Sequence, residues 1–322
     1  MDITLDFERP VSELENQIRE LRSTTNSNID ISHEIAALEA KVNSMLEEIY
    51  KKLTPWERTQ LSRHPQRPHA IDYIEKIITD FHEVHGDRRF SDDPSMLAGF
   101  GYVDGQKVAV VGIEKGRKTQ EKIKRNFGMA NPEGYRKALR VMQLASQFNI
   151  PVITFVDTPG AYPGIGAEER GQALAIAENI EEMFNIKTPI VSVIIGEGGS
   201  GGALGIAVAD KVFMMEYSVY SVISPESCAS ILWSDPKMAE TAANSLQLSP
   251  NKALELKVID GVIKEPAGGA HRYPDQAIAK VKESIVSSLA SLQKEDNDLL
   301  MQKRFEKFRQ MGNTTITVDD KE

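Results

Sequence analysis

The chain has 322 residues, 41% hydrophobic and 26% charged, enough for one large α/β unit with a full core and an extra segment. A net charge of −9 argues against general nucleic-acid binding, which needs surplus Lys and Arg to neutralise phosphate. The single cysteine, Cys228, excludes an internal disulfide and a cysteine-rich zinc site, and no metal is expected.

The N-terminus, MDITLDFERP, lacks the cationic-then-apolar order of a signal peptide. No apolar run approaches the roughly 20 residues of a membrane span. The expectation is a soluble cytoplasmic protein without a membrane partner. Ile31, Ile35, Leu38, Val42, Met45, Ile49 and Leu53 alternate four and three apart, drawing one apolar stripe along a helix. Thr54-Pro55-Trp56-Glu57 reads as a capping box opening a second helix. Ile71, Ile74, Ile78 and Phe81 predict a third. This segment, residues 1–85, is either a helical brace on its own core or an arm that docks a partner.

From residue 86 the period changes. Met96–Val103 and Lys107–Glu114 read as strands joined by Asp104-Gly105, a two-residue hairpin signal. Lys115–Arg125 holds six basic residues and one acidic one. Asn131-Pro132-Glu133 then opens a helix running to about Phe148. Two units of one plan follow. The apolar run 150–157 ends in Thr158–Gly164, with a helix over about Ala167–Phe184. The run 189–195 ends in Gly196–Gly202, with a helix over Ala203–Ala209 and a strand over Lys211–Glu216. Runs that do not alternate imply strands buried on both faces, hence an α/β core covered by helices. Ser249-Pro250 caps another helix, Val258–Lys264 is a late strand, and helices fill about Pro274–Met311. The central domain spans 86–295; residues 296–322 hold a last helix and a polar, disordered tail from Gly312.

The segment Gly196-Glu197-Gly198-Gly199-Ser200-Gly201-Gly202 fits two motifs. Gly196-x-Gly198-x-x-Gly201, with Glu216 at the end of the next strand, fits a dinucleotide fingerprint. Gly198-x-Ser200-x-Gly202, with Asp260 and His271 following in order, fits a serine nucleophile elbow. The plainer reading is a tight turn with close helix–strand packing. What the functional readings share is a backbone open to a ligand, with N–H groups that favour a negative oxygen.

Five long stretches decide among these: LDFERPVSELENQIREL at 5–21, HGDRRFSDDPSMLAGFG at 85–101, RNFGMANPEGYRKALRVM at 125–142, FVDTPGAYPGIGAEERGQ at 155–172 and GEGGSGGALGIAVAD at 196–210. In these the chain resembles the alpha subunits of bacterial acetyl-CoA carboxylase carboxyltransferases, nearly throughout its length. The resemblance implies a crotonase-like (ClpP/crotonase) α/β fold, a spiral of ββα units with an N-terminal helical extension. It implies transfer of a carboxyl group from carboxybiotin on a carrier protein to acetyl-CoA, giving malonyl-CoA for fatty acid synthesis. No cofactor is bound covalently; ATP is used by a separate biotin carboxylase. The implied partners are a beta subunit, in an α2β2 core, the biotin carboxyl carrier protein and the biotin carboxylase, so the chain is expected to be inactive alone.

Carried over by position, Gly202 and Ala203 are the backbone N–H donors of an oxyanion hole on the biotin side, with Gly201 keeping the approach open. Gly160, Ala161 and Gly164 line the same cleft, together with Gly198 and Gly199. Lys118 and Arg125, within the basic stretch, either meet coenzyme A phosphates or an acidic carrier domain, or belong to a solvated loop. His82 and His85 share a helix face in this reading but lack a third ligand. Glu197 and Glu216 are read as ordinary loop and strand-end carboxylates, and Ser200 as the small residue a turn requires. There is no MKM-like biotinylation site, no GxxxxGK[ST] loop and no zinc ribbon.

Overall fold

The computed structural model describes residues 4–24 and 32–312. Ile31 of the apolar stripe and residues 313–322 of the expected tail lie outside the described residues. Helices α1 (Arg9–Thr24) and α2 (Ser32–Lys51) pack on each other. Val11 and Ile18 meet Val42, Leu46 and Tyr50, and the cluster closes on Leu61 and Tyr217 from later in the chain. Helix α3 (Pro55–Ser62) opens with the expected capping box: Glu57 N–H donates to Thr54 Oγ1 at 3.1 Å, and Thr54 N–H to Glu57 Oε2 at 2.7 Å.

Helix α4 (Ala70–Ile77) buries Tyr73, Ile74 and Ile77, then stops earlier than its spacing predicts. Thr79–Glu83 is strand β1, and Asp80 has a positive φ of 50° where the register shifts. Ile78 and Phe81 keep helical spacing by coincidence, because sheet pairing with the next strand overrides it. His82 therefore lies in a strand and His85 beyond it, and they share no helix face. His85 Nδ1 lies 3.0 Å from Asp92 instead.

Strands β2 (Met96–Val103) and β3 (Gln106–Ile113) form a hairpin. Asp104 and Gly105 have φ of 47° and 79°, the paired positive values of a tight hairpin turn. After α5 (Thr119–Lys124) and α6 (Pro132–Gln147) comes β4 (Val152–Thr158). The single helix expected next is two, α7 (Ile165–Glu169) and α8 (Gln172–Asn185), divided at Gly171 with φ of 79°. Strand β5 (Ile190–Gly199) runs into α9 (Ser200–Leu204), followed by β6 (Lys211–Met215) and β7 (Val219–Ser221). Helices α10 (Pro225–Trp233), α11 (Ala239–Leu246) and α12 (Pro250–Glu255) precede β8 (Gly261–Ile263). Helices α13 (Pro274–Leu292) and α14 (Asn297–Gln310) end the described chain.

The eight strands form one sheet in the order β1-β2-β3-β4-β5-β6-β8, with β7 beside the outer half of β5. Pairing is antiparallel from β1 to β3 and parallel beyond. The apolar runs are buried on both faces. Val152, Val156, Ile190 and Ile194 face one cluster with α6 and α8, while Ile153, Phe155, Val191, Val193 and Ile195 face a second with α4 and α13. Helix α14 is locked on by Arg304, whose guanidinium pairs with Asp210 at 2.7 Å and donates to the carbonyls of Met183, Ile186 and Thr188. None of the helices among the described residues is long and apolar enough to cross a membrane.

Candidate active site

The glycine segment is the far end of the central strand. Val191–Ile194 of β5 pair with β6, then Glu197–Gly199 pair with β7, and all ten residues of β5 are buried. Helix α9 starts at Ser200, three residues before the helix read from sequence. A helix beginning there first bonds back on itself through Ala203 N–H and the Gly199 carbonyl. Ser200, Gly201 and Gly202 then hold the first-turn N–H groups, which have no intrahelical acceptor. Gly199 caps this turn without a side chain, so nothing in its own cap covers those groups. Ser200 has a φ of 51°, a left-handed conformation costing roughly 1–2 kcal/mol outside glycine.

The loop after β4 lies against this turn. A Cβ at Gly199 would sit 2.2 Å from the Pro159 carbonyl oxygen, and one at Gly202 would sit 2.5 Å from both Ala161 N and Gly160 C. Glycine is required at both positions because two backbones touch there. Gly160 and Ala161 are thus brought onto Gly199 and Gly202. Gly160, with φ of 151°, donates its N–H to Thr158 Oγ1 at 3.0 Å. At Gly164 the constraint is the ring of Tyr162, 2.5 Å from where a Cβ would be. Gly201 is different: a Cβ there would make ordinary contact with Ile176 at 3.7 Å.

Behind the turn lies an ion-pair network that the sequence did not announce. Glu197 pairs with Arg63 of the α3 C-terminus at 2.7 Å and meets Lys115 at 3.4 Å. Lys115 also pairs with Asp157 at 2.7 Å, and Asp157 accepts the Glu197 N–H at 2.9 Å. Arg63 reaches Glu226 of α10 at 2.6 Å. Burial alone would lower the Lys115 and Arg63 pKa values, but the neighbouring carboxylates outweigh it and raise both, so each cation stays charged. Of the basic stretch, only Lys115 touches the glycine strand. Arg125 donates to the Pro94 carbonyl at 2.5 Å and Lys118 is an exposed cap of α5, so neither is brought to the turn by a described contact.

The readings tied to single motifs lose their partners. Asp260 pairs with Lys307 at 2.8 Å, and His271 lies 3.2 Å from Glu8, so neither serves Ser200 as a triad would require. Glu216 is engaged by Lys264 and by the Glu265 N–H. His271, His64 and Glu8 bring their donor atoms within 4.8 Å of one another, but Glu8 Oε1 is already shared by Tyr50 and Arg272. This cluster ties the N-terminal segment to the loop before α13.

On the open side of the turn lies a cavity of about 300 Å³ lined by Ser200, Gly201, Leu204, Tyr220, Ser221, Val222 and Val258. Tyr220 belongs to β7, directly beside Gly198 in the sheet. Reading strands by their apolar runs missed it, since three residues give too short a period to register.

The family model for acetyl co-enzyme A carboxylase carboxyltransferase-like proteins matches residues 4–312. The acetyl-coenzyme A carboxylase carboxyl transferase subunit alpha of Fusobacterium nucleatum is 53% identical over 96% of this chain and 99% of its own. That of Thermus thermophilus is 51% identical over 96% and 98%. Among solved structures, transcarboxylase 12S with hydrolyzed methylmalonyl-coenzyme A bound aligns with a TM-score of 0.58 at 21% identity, over 71% of this chain and 42% of that one. The beta subunit of Pseudomonas aeruginosa geranyl-CoA carboxylase aligns at 0.51 and 18%, over 67% of this chain and 48% of that one. The chain spans less than half of either solved chain, and the likeness shows the shared, crotonase-like carboxyltransferase fold. The match across nearly all of the sequence is what places it: the chain belongs to the alpha subunits of the acetyl-coenzyme A carboxylase carboxyltransferase family and is a transferase.

Proposed function

We propose that the chain forms the biotin-facing half of a carboxyltransferase that moves a carboxyl group from carboxybiotin to acetyl-CoA, giving malonyl-CoA. The observation that carries this is the contact of Gly202 with Gly160 and Ala161, which fixes the first turn of α9, whose Ser200 and Gly201 line an open cavity. As the carboxylate leaves, negative charge develops on the ureido oxygen of the biotin ring. The Gly202 N–H, with Gly201 beside it, receives that charge, and fixed donors lower the barrier by several kcal/mol without reorganising. Ala203, expected as the second donor, closes the first helical turn behind them. The methyl group of acetyl-CoA loses a proton to the departing biotin and attacks the released carboxyl carbon. No side-chain nucleophile is needed, which agrees with Asp260 and His271 being engaged away from Ser200.

The rest of the reaction lies with partners. A beta subunit supplies the thioester hole and most coenzyme A contacts, in an α2β2 assembly. The biotin carboxyl carrier protein delivers the substrate, and a separate ATP-using biotin carboxylase charges it, all in the cytoplasm. Lys118 and Arg125 are offered as contacts to coenzyme A phosphates or to the carrier. The test is co-purification with a beta-type subunit, followed by carboxyl exchange between malonyl-CoA and free biotin. Exchange by the complex and none by the isolated chain is the expected result. A stable complex without exchange defeats the reading.

A further inference from the structure

Resting on that reading, the cavity beside α9 has one feature that the glycine turn does not explain. Its walls are mostly apolar: Leu204, Val222 and Val258. Val222 is 76% exposed, a high value for an aliphatic side chain with nothing packed over it. Few of the lining residues carry a polar side-chain group. Ser221 Oγ lies 2.5 Å from the Ile223 carbonyl and is occupied by it. Ser200 is exposed and free to bond water.

The remaining polar group carried by a lining residue is the Tyr220 hydroxyl. Among the described residues it has no hydrogen-bond partner, although burial pushes its pKa well above the ordinary value and keeps the phenol protonated. The hydroxyl is not sealed from solvent, so it bonds water that an acceptor oxygen of a ligand can replace. The ring is also held in place. It packs on the main core cluster, and one edge lies where a Cβ at Gly198 would come within 3.0 Å. A side chain at Gly198 would crowd Tyr220, Ile194 and the Val219 carbonyl together. A rigid donor on one wall, backbone N–H groups on the next and apolar sides between them suit a compact, largely apolar ring carrying an acceptor oxygen.

We infer that Tyr220 is a substrate-contacting residue of this half-site, its phenol donating to an acceptor oxygen of the biotin bicycle while Leu204, Val222 and Val258 enclose the ring. The glycine turn stabilises the charge that develops; Tyr220 positions the group on which it develops.

The experiment uses the complex with the beta subunit and follows malonyl-CoA-dependent carboxylation of free biotin. Tyr220→Phe keeps the ring and removes only the hydroxyl. The expected result is a fall in kcat/KM for biotin on the order of tenfold. The KM for malonyl-CoA, the melting temperature and the elution volume of the complex stay as in the wild type. A second variant, Val222→Trp, fills the cavity from an exposed position and is expected to raise the KM for biotin severalfold, again without moving that for malonyl-CoA. Unchanged biotin kinetics in both variants overturns the proposal. So does an equal change in both substrates, or dissociation of the complex, which would make this wall a subunit contact. A wild-type complex with no exchange would instead defeat the underlying reading before either variant is examined.

Discussion

One methyl group separates the two glycines at the head of α9. At Gly202 an added Cβ meets the backbone of Gly160 and Ala161 at 2.5 Å, a distance that no relaxation of a side chain can relieve. Gly202→Val is expected to reduce carboxyl exchange by roughly a hundredfold or more, the scale of losing a fixed oxyanion donor. At Gly201 the same methyl lands in ordinary contact with Ile176, so Gly201→Ala is expected to fold with an unchanged melting temperature. Measuring exchange and melting on both variants separates a demand made by the protein from one made by the substrate. The sequence marked this turn clearly but not the role of each glycine, because roles depend on which backbone lies opposite. Glu8 shows the same limit. Burial would raise its pKa, but hydrogen bonds from His271 and Tyr50 and the charge of Arg272 outweigh it and hold it at about 2, below the ordinary 4.5. A depressed carboxyl pKa stabilises the fold above the ordinary value, and that stability is lost as pH falls from about 4.5 towards 2. Melting curves at pH 6 and pH 3.5 are expected to show a smaller acid-induced drop in Glu8→Gln than in the wild type.

At the scale of elements, the hairpin at Asp104-Gly105, the capping box at Thr54 and the two buried runs of β4 and β5 were all legible. The first two rest on local turn and cap chemistry, and the third on unbroken apolar runs that only a strand buried on both faces accommodates. The failures came where tertiary pairing decided. Residues 79–83 joined the sheet against their helical spacing, and Gly171 cut one expected helix into two. The network of Arg63, Lys115, Asp157 and Glu197 was invisible because its members are scattered through the chain. Helix α14 gives a testable case. Arg304 is fully buried, and its removal leaves the buried Asp210 carboxyl without its guanidinium partner, held only by the Ile190 N–H. Arg304→Leu is expected to destabilise the protein by about 3–5 kcal/mol, read from urea unfolding.

For the whole molecule, the open question from the sequence was whether the N-terminal helices brace the core or wait for a partner. Their packing favours bracing. The cluster of Val11, Ile18, Leu46 and Tyr50 is completed by Tyr217, which follows β6, and Glu8 joins His271 and Arg272. Deleting residues 1–24 is expected to lower the melting temperature of the isolated chain by several degrees. An unchanged melting temperature with loss of beta-subunit binding would show the docking role instead.

The junction between β5 and α9 carries a last consequence, for exchange of backbone protons with solvent. Up to Gly199 the glycine run lies within the sheet between β4 and β7, with the Glu197 N–H held by Asp157, so its amides are protected with the core. From Ser200 the amides stand in a first helical turn with no acceptor of their own. Deuterium uptake should therefore change from core-like to fast between two adjacent residues of one glycine-rich stretch. Biotin bound to the complex should slow the second group and leave the first as it was.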